Sequence, residues 1–140
     1  MERREFIQSS CTLCLALNAG LLSLSQLSCA PYAVYDAPVR NDRAYIPADL
    51  IATPDVHIVR PAHFAYDIAV QKQKDGSLLA LLLRCTHANN ELEFEGNQYY
   101  CTLHGSTFNL QGGATHGPAQ RPLKRLSIRA VSDGFEIDLA

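Results

Sequence analysis

The sequence has no excess of basic residues. It contains 12 Lys and Arg against 14 Asp and Glu, so its formal net charge at pH 7 is −2. Its one concentration of basic side chains lies between Arg121 and Arg129. Nucleic-acid-binding domains present a basic surface that neutralises phosphates. The charge balance therefore excludes nucleic acid from the expected partners.

Long-range regularity is also missing. The sequence shows no internal repeat, no low-complexity tract and no long helical pattern after its N-terminal segment. Its 140 residues are 47% apolar and 19% charged. This length and composition are typical of one compact soluble domain.

Cysteine is scarce outside the N-terminal segment. Of five cysteines, three lie near the start of the chain, at Cys11, Cys14 and Cys29. Only Cys85 and Cys101 remain for the folded part. In an exported chain such a pair can form a structural disulfide. A structural disulfide and a metal site therefore both stay open as roles for Cys85 and Cys101.

Residues 1–29 are predicted to be an export signal. Arg3 and Arg4 precede an apolar stretch from Cys11 to Leu27, and small residues follow from Ser28 to Ala30. This order of basic, apolar and small residues is the layout of a signal peptide. The apolar stretch is near the lower limit for spanning a bilayer, so a cleaved signal and a retained anchor both stay open.

The N-terminal segment resembles two known types of signal. Arg3 and Arg4, followed by Phe6 and Gln8, resemble the twin-arginine export signal. The sequence "QLSC", which ends at Cys29, is similar to a lipoprotein signal, in which the cysteine receives a lipid. We therefore expect the protein in the periplasm or on the periplasmic face of the membrane, with lipidated Cys29 or a retained apolar segment as the candidate attachment.

The residue pattern after the N-terminal segment predicts β-strands. Residues 30–40 are predicted to be a linker and residues 41–140 the folded domain. "FAYDIAVQK" and the last fifteen residues alternate apolar and polar side chains, while "KDG" and "SDG" are turn sequences. "SLLALLLR" is short enough to be a buried strand in the sheet centre, and "ELEFEGNQYY" reads as a hairpin turning at Gly96 and Asn97. The pattern predicts an all-β fold.

Two Cys/His pairs are the candidate metal ligands of this sequence. Cys85 and His87 lie two positions apart, Cys101 and His104 lie three apart, and the predicted hairpin separates the pairs. Thiolate and imidazole suit zinc, iron or copper. Either one tetrahedral zinc or a two-iron cluster would satisfy four such ligands. The single residue between Cys85 and His87 is a shorter gap than zinc sites prefer.

These motifs resemble the Rieske iron–sulfur family. The resemblance rests on "CTH" at residues 85–87 and "CTLHGSTF" at residues 101–108, and it covers about residues 40 to 140. It implies an antiparallel β-sandwich or barrel. It also implies a small cluster-binding subdomain, about residues 84–122, formed by two loops around a hairpin.

The same resemblance implies one 2Fe-2S cluster as cofactor. Cys85 and Cys101 would hold one iron, and His87 and His104 the other. Because two neutral histidines replace two thiolates, the cluster carries less negative charge and its reduction potential rises. The resemblance therefore implies one-electron transfer.

Four further positions acquire expected roles near the cluster. Gly105 has no Cβ and lets backbone amides approach the cluster. Ser106 matches the family's serine that donates to a bridging sulfide, whereas Phe108 replaces a tyrosine that donates to a cysteine sulfur in high-potential members. Pro118 lies in "GPAQRPL", which is similar to the family's proline-bearing loop over the cluster. One hydroxyl in place of two implies an intermediate potential.

The chain departs from the quinol-oxidising branch of that family. Members of that branch carry one extra cysteine in each ligand loop, and the two form a disulfide. Here Asn90 and Leu103 stand at those positions. The departure argues against a role as a quinol-oxidase subunit.

Two functions follow as expectations. The first is a small exported electron carrier that hands single electrons to a redox partner protein. The alternative is a Rieske subunit of a larger membrane-associated oxidoreductase, either a quinol-oxidising complex or a small subunit beside a molybdenum-type catalytic chain. A third, weaker alternative is a zinc-binding module without redox activity. The sequence shows no complete catalytic site, so whether the protein is an enzyme stays open.

Overall fold

The computed structural model describes residues 32–140. The predicted export signal, including Cys29, and the first residues of the predicted linker lie outside this range. The strands are β1 (Val34–Ala37), β2 (Val39–Arg40), β3 (Arg43–Pro47), β4 (His57–Pro61), β5 (Ile68–Lys72), β6 (Leu78–Leu82), β7 (Glu93–Phe94), β8 (Gln98–Tyr100), β9 (Thr107–Asn109), β10 (Ala114–His116), β11 (Arg125–Leu126), β12 (Ile128–Val131) and β13 (Gly134–Asp138), and a 3-10 helix spans Ala48–Ile51. Within residues 32–140, no helix has the length and apolar character needed to cross a membrane.

The strands form three sheets. A five-stranded sheet has the order β1-β4-β5-β6-β11, a four-stranded sheet has the order β12-β13-β3-β2, and a second four-stranded sheet has the order β10-β9-β8-β7. Neighbouring strands are antiparallel except β1 and β4, which run parallel. The predicted all-β fold with antiparallel sheets is therefore confirmed, with one parallel pair that the sequence did not reveal.

Strand β5 is buried on both faces. Ile68 and Val70 pack into one apolar core, and Ala69 packs into a second core on the other side of the sheet. Gln71, a polar residue of the predicted alternation, is buried too, and its side-chain amide donates to the carbonyl oxygen of Leu110. The predicted one-sided alternation is wrong here because β5 is the middle strand of a sheet that is covered on both sides.

The predicted strand "SLLALLLR" is confirmed as β6. It pairs with β5 on one side and with β11 on the other, so it is an interior strand next to the sheet edge rather than the central one. The "KDG" turn joins β5 to β6, with Gly76 at a φ of 85°. This positive φ is the conformation that glycine adopts without strain.

Part of the predicted linker belongs to the sheets. β1 and β2 both lie within residues 30–40, and β1 pairs with β4. Pro38 separates the two strands, and its carbonyl oxygen accepts a hydrogen bond from the Tyr45 amide at 3.0 Å. Proline lacks an amide hydrogen, but between two strands this costs no ladder bond. The ordered sheet therefore begins before residue 41.

The loops with the predicted metal ligands adjoin the four-stranded sheet β10-β9-β8-β7. β7 and β8 form the hairpin predicted from "ELEFEGNQYY", with Gly96 at a φ of 78° in its turn. Cys101 follows β8 directly, and Ser106 comes directly before β9. The turn from Cys85 to Asn90 lies on the other side of the hairpin in sequence, between β6 and β7. Two loops around a hairpin are the predicted arrangement.

Candidate metal centre

Each Cys/His pair lies in a loop closed by two backbone hydrogen bonds. In the first loop, the Cys85 amide donates to the Asn90 carbonyl oxygen at 2.8 Å, and the Asn89 amide donates to the Cys85 carbonyl oxygen at 2.9 Å. In the second loop, the Cys101 amide donates to the Ser106 carbonyl oxygen and the Gly105 amide donates to the Cys101 carbonyl oxygen, both at 2.9 Å. These bonds fix the backbone on both sides of each cysteine.

The two cysteines are buried and the two histidines are exposed. Cys85 and Cys101 are 0% and 1% exposed, and both thiols are free, so the structural disulfide does not form. His87 and His104 are exposed, and their ring centroids lie 4.9 Å apart with the rings at 84°. The structure therefore places the two predicted sulfur ligands in the interior and the two predicted imidazole ligands next to each other at the surface.

The surroundings of Cys85 favour its thiolate. Burial by itself raises the pKa of this thiol, since a charge is disfavoured away from water. Hydrogen bonds to the sulfur from the His87 amide, the Cys101 thiol, the Ala88 amide and the Ser106 hydroxyl act in the opposite direction and leave the pKa below its ordinary value. The thiolate is the form that binds metals.

A third loop, residues 117–123, is hydrogen-bonded to both ligand loops. The Ala119 amide donates to the Ser106 hydroxyl oxygen at 3.0 Å, and Ser106 is fully buried. The Thr86 hydroxyl donates to the Arg121 carbonyl oxygen at 2.7 Å, and the Arg121 guanidinium donates back to the Thr86 carbonyl oxygen at 3.2 Å. Pro118 itself is exposed. The third loop thus connects two loops that no disulfide joins.

The other predicted positions have clear surroundings. Gly105 has a φ of 78°, and a Cβ there would meet no atom within 4 Å, so the backbone conformation rather than space favours glycine. Phe108 is fully buried in the same core as Cys85 and Cys101. Leu103 is 55% exposed at the surface of the second loop.

Sequence reasoning missed residues that support the loops. Thr86, Asn89, Ala119 and Arg121 all bond to or within the ligand loops. The one available signal was Asn89, since asparagine within a tight loop tolerates a positive φ, and its φ is 57°. The bonds between the first and third loops join residues 35 apart in sequence, so no local pattern reveals them.

The donor set fits a group that takes both thiolate and imidazole ligands. Two buried thiols beside two adjacent imidazoles match the soft and borderline donors that iron–sulfur clusters accept. Among residues 32–140, no three His, Cys, Asp or Glu side chains are arranged around a single ion. The assignment of the four side chains as ligands remains a prediction.

Comparisons with known proteins show which family shares this pattern. The family model described as "Rieske [2Fe-2S] domain" matches residues 51–127. The cytochrome b6-f complex iron-sulfur subunit of Chlorobaculum thiosulfatiphilum is 33% identical over 79 residues, which cover 55% of this chain and 44% of that protein. The cytochrome b6-f complex iron-sulfur subunit 1 of Synechocystis sp. is 34% identical over 65 residues, which cover 44% of this chain and 36% of that protein. The matched part of the chain thus spans less than half the length of either relative.

A solved structure supports the fold. Naphthalene 1,2-dioxygenase with indole bound in its active site superposes with a TM-score of 0.53 at 20% identity, covering 70% of this chain and 26% of that chain. At this identity the likeness concerns the fold alone. Because the family model matches more than half of its residues, the chain belongs to the Rieske [2Fe-2S] domain family, and its cofactor is one 2Fe-2S cluster.

Proposed function

We propose that this chain transfers single electrons and that Cys85, Cys101, His87 and His104 hold its cluster. A bound 2Fe-2S cluster supplies the ability to take up and release one electron. The observation that carries the proposal is the pairing of two buried cysteine thiols with two exposed imidazoles whose centroids are 4.9 Å apart. The buried side excludes water, and the imidazole side meets the surface where a redox partner can approach.

The residues around the site set its potential. Two neutral imidazoles in place of two thiolates put a Rieske centre in the range of about −150 to +300 mV. Ser106 is buried and accepts the Ala119 amide, while its own hydroxyl proton is directed at the Cys85 sulfur, on the side of the predicted cluster. Phe108 has no hydroxyl for a second such bond. An intermediate potential within the family range follows.

We also propose that the protein is exported and works in the periplasm or on the periplasmic face of the membrane. The support is the sequence of the N-terminal segment, with Arg3 and Arg4 before an apolar stretch and Cys29 at its end. The cytochrome b6-f relatives belong by name to a complex, which agrees with work at a membrane. Lipidated Cys29 or a retained apolar N-terminal segment is the proposed mode of attachment.

A second candidate function is a subunit of a larger membrane-associated oxidoreductase. The names of the curated relatives favour it, since both are iron–sulfur subunits of the cytochrome b6-f complex. Asn90 and Leu103 argue against the quinol-oxidising version, because no cysteine at these positions can form its disulfide. Purification from native membranes distinguishes the two, since only the subunit function predicts a second polypeptide in stable proportion.

Redox titration of the purified protein tests electron transfer. We expect a visible absorption change that follows a one-electron Nernst curve, about 59 mV for each tenfold change in the ratio of oxidised to reduced protein. Cys85→Ser should abolish the chromophore, whereas Thr102→Ser, an exposed change in the second loop, should retain it. A purified protein whose colour does not respond to potential would contradict the proposal.

A further inference from the structure

A basic pocket lies beside the first ligand loop. Its cavity has a volume of about 350 Å³, and its lining residues are Arg84, Thr86, Asn89, Arg121, Pro122 and Lys124. Three of the six carry a positive charge, and none carries a negative charge. Thr86 and Asn89 flank His87 in the first ligand loop, so the pocket adjoins an exposed imidazole.

The basic side chains of the pocket have fixed positions. Within residues 32–140, no acidic side chain forms an ion pair with them. Arg84 lies over the ring of Tyr66 at 5.7 Å, and the Tyr66 hydroxyl donates to the Asn89 carbonyl oxygen at 2.8 Å. Arg121 donates to the Thr86 carbonyl oxygen, and Lys124 donates to the Ala140 carbonyl oxygen at 3.1 Å. The Tyr66 ring and the Thr86 carbonyl oxygen are neutral partners, so they position Arg84 and Arg121 without compensating their charges.

Acidic side chains form ion pairs elsewhere. Within residues 32–140, the ion pairs are Arg60 with Asp67 and Arg129 with Glu136. Glu91 faces Arg84 across an isolated β-bridge, but it lines a different cavity and forms no ion pair with Arg84. The chain as a whole has a net charge of −2, so the basic pocket is a positively charged area on a negatively charged protein.

We propose that the basic pocket docks carboxylate side chains of an acidic redox partner protein and so places that partner against His87. The inference rests on the proposed electron-transfer function. Charge complementarity favours an acidic surface, which the rest of this negatively charged chain would repel. The basic side chains of the pocket are exposed, whereas a site for a small anion encloses its ligand with buried donors. A protein surface therefore fits better than a free anion.

Binding of a fluorescein-labelled oligoglutamate peptide, followed by anisotropy, tests the pocket directly. At an ionic strength of about 0.01 M, we expect Arg84→Gln and Arg121→Gln each to weaken binding about threefold, because each removes one charge that is little screened under these conditions. Arg84→Lys keeps the charge and should retain the affinity. Lys74→Gln removes an exposed charge that lines another cavity and serves as the matched control.

Inorganic phosphate separates a docking surface from a small-anion site. At matched ionic strength, phosphate should displace the peptide no better than chloride. Specific displacement by phosphate would overturn the docking proposal in favour of a small-anion site. Equal binding by Arg84→Gln, Arg121→Gln and Lys74→Gln would also overturn it and would leave the proposed function intact.

Oxidation of the reduced protein supplies the link to electron transfer. One electron passes from the reduced protein to hexacyanoferrate(III), giving hexacyanoferrate(II), or to tris(phenanthroline)cobalt(III), giving the cobalt(II) complex. In stopped flow, Arg84→Gln should slow the reaction with the anionic oxidant and not with the cationic one. Equal rates for both oxidants in parent and variant would overturn the inference. A protein oxidised by neither reagent would contradict the proposed function. Because the docking inference rests on that function, it would be contradicted as well.

Discussion

Asn89 and Gly105 occupy the same position in two loops with the same hydrogen-bonding pattern. Each donates its amide to the carbonyl oxygen of the cysteine four residues earlier, Cys85 or Cys101, at 2.9 Å. Each has a positive φ, 57° for Asn89 and 78° for Gly105. The two loops therefore share one backbone design, although the histidine is two residues after the cysteine in one loop and three in the other.

This equivalence predicts which residues position 89 accepts. Asn89→Gly should leave assembly and stability close to those of the parent, while Asn89→Val should destabilise the loop by about 1–2 kcal/mol, because a β-branched residue is disfavoured at a positive φ. The thermal unfolding midpoint of the loaded protein at a fixed scan rate measures the difference. Asn97→Val, an exposed turn residue without a positive φ, is the control. A midpoint for Asn89→Val equal to that of the control would show that the left-handed conformation is not required.

The third loop should slow cluster loss through its bond to Thr86. Thr86→Val removes a hydroxyl that donates to the Arg121 carbonyl oxygen at 2.7 Å. A net loss of about 1 kcal/mol would speed opening of the first loop about fivefold. The decay of visible absorbance in the presence of an iron chelator measures this rate.

Thr102→Val is the matched control for this experiment. Thr102 follows Cys101 as Thr86 follows Cys85, but it is exposed and lacks a side-chain hydrogen bond to residues 32–140. It should bleach at the parent rate. If both variants bleach at the same rate, the third loop does not hold the first loop closed.

Short sequence motifs predicted the candidate ligands better than they predicted the residues whose hydrogen bonds hold the ligand loops in place. The two Cys/His motifs and the hairpin between them are short-range features, so the sequence alone was enough to predict four candidate ligands. The bonds of Thr86 to Arg121 and of Ser106 to Ala119 join distant loops, and no periodicity reports such contacts. For the same reason, the two-sided burial of β5 was missed, because it depends on which sheets cover the strand.

Ser106 should tune the potential. If its hydroxyl donates to the cluster, the bond is stronger in the reduced state, which carries one more negative charge. A difference of about 1–2 kcal/mol between the two redox states corresponds to about 40–90 mV. Ser106→Ala should therefore lower the potential by that amount with the cluster still assembled, as measured by protein-film voltammetry.

Two further variants make the voltammetry decisive. Ser127→Ala, an exposed serine outside the ligand loops, should leave the potential unchanged. Phe108→Tyr should raise it if the new hydroxyl reaches a cysteine sulfur. A Ser106→Ala potential within about 10 mV of the parent, far below the shift expected from the hydrogen bond, would remove Ser106 from the account.

Export should depend on the arginine pair. Replacing both Arg3 and Arg4 with lysine should retain the protein in the cytoplasm, because the twin-arginine signal requires arginine. Cell fractionation with an antibody measures the distribution. Unchanged periplasmic yield would show that another route carries the protein.

Membrane attachment should depend on Cys29. Cys29→Ala should release the protein into the soluble fraction if a lipid on this cysteine holds it. Cys14→Ala, in the same N-terminal segment, is the control and should leave attachment unchanged. Continued sedimentation of Cys29→Ala with membranes would indicate a retained apolar anchor instead.

Replacing a histidine with cysteine should lower the potential. His87→Cys or His104→Cys adds a negatively charged thiolate in place of a neutral imidazole, which disfavours reduction. His116→Cys, an exposed histidine outside both ligand loops, is the control. Redox titration should show a lower potential for the first two variants and no change for the control.

Ligation by both Cys and His is the central claim, and magnetic resonance of the reduced, unmutated protein tests it most directly. With nitrogen-15 in histidine only, electron–nuclear double resonance should detect two strongly coupled histidine nitrogens. One of these signals should disappear in His87→Cys and the other in His104→Cys. A reduced cluster without coupled histidine nitrogen, with the g values of an all-cysteine centre, would contradict the account.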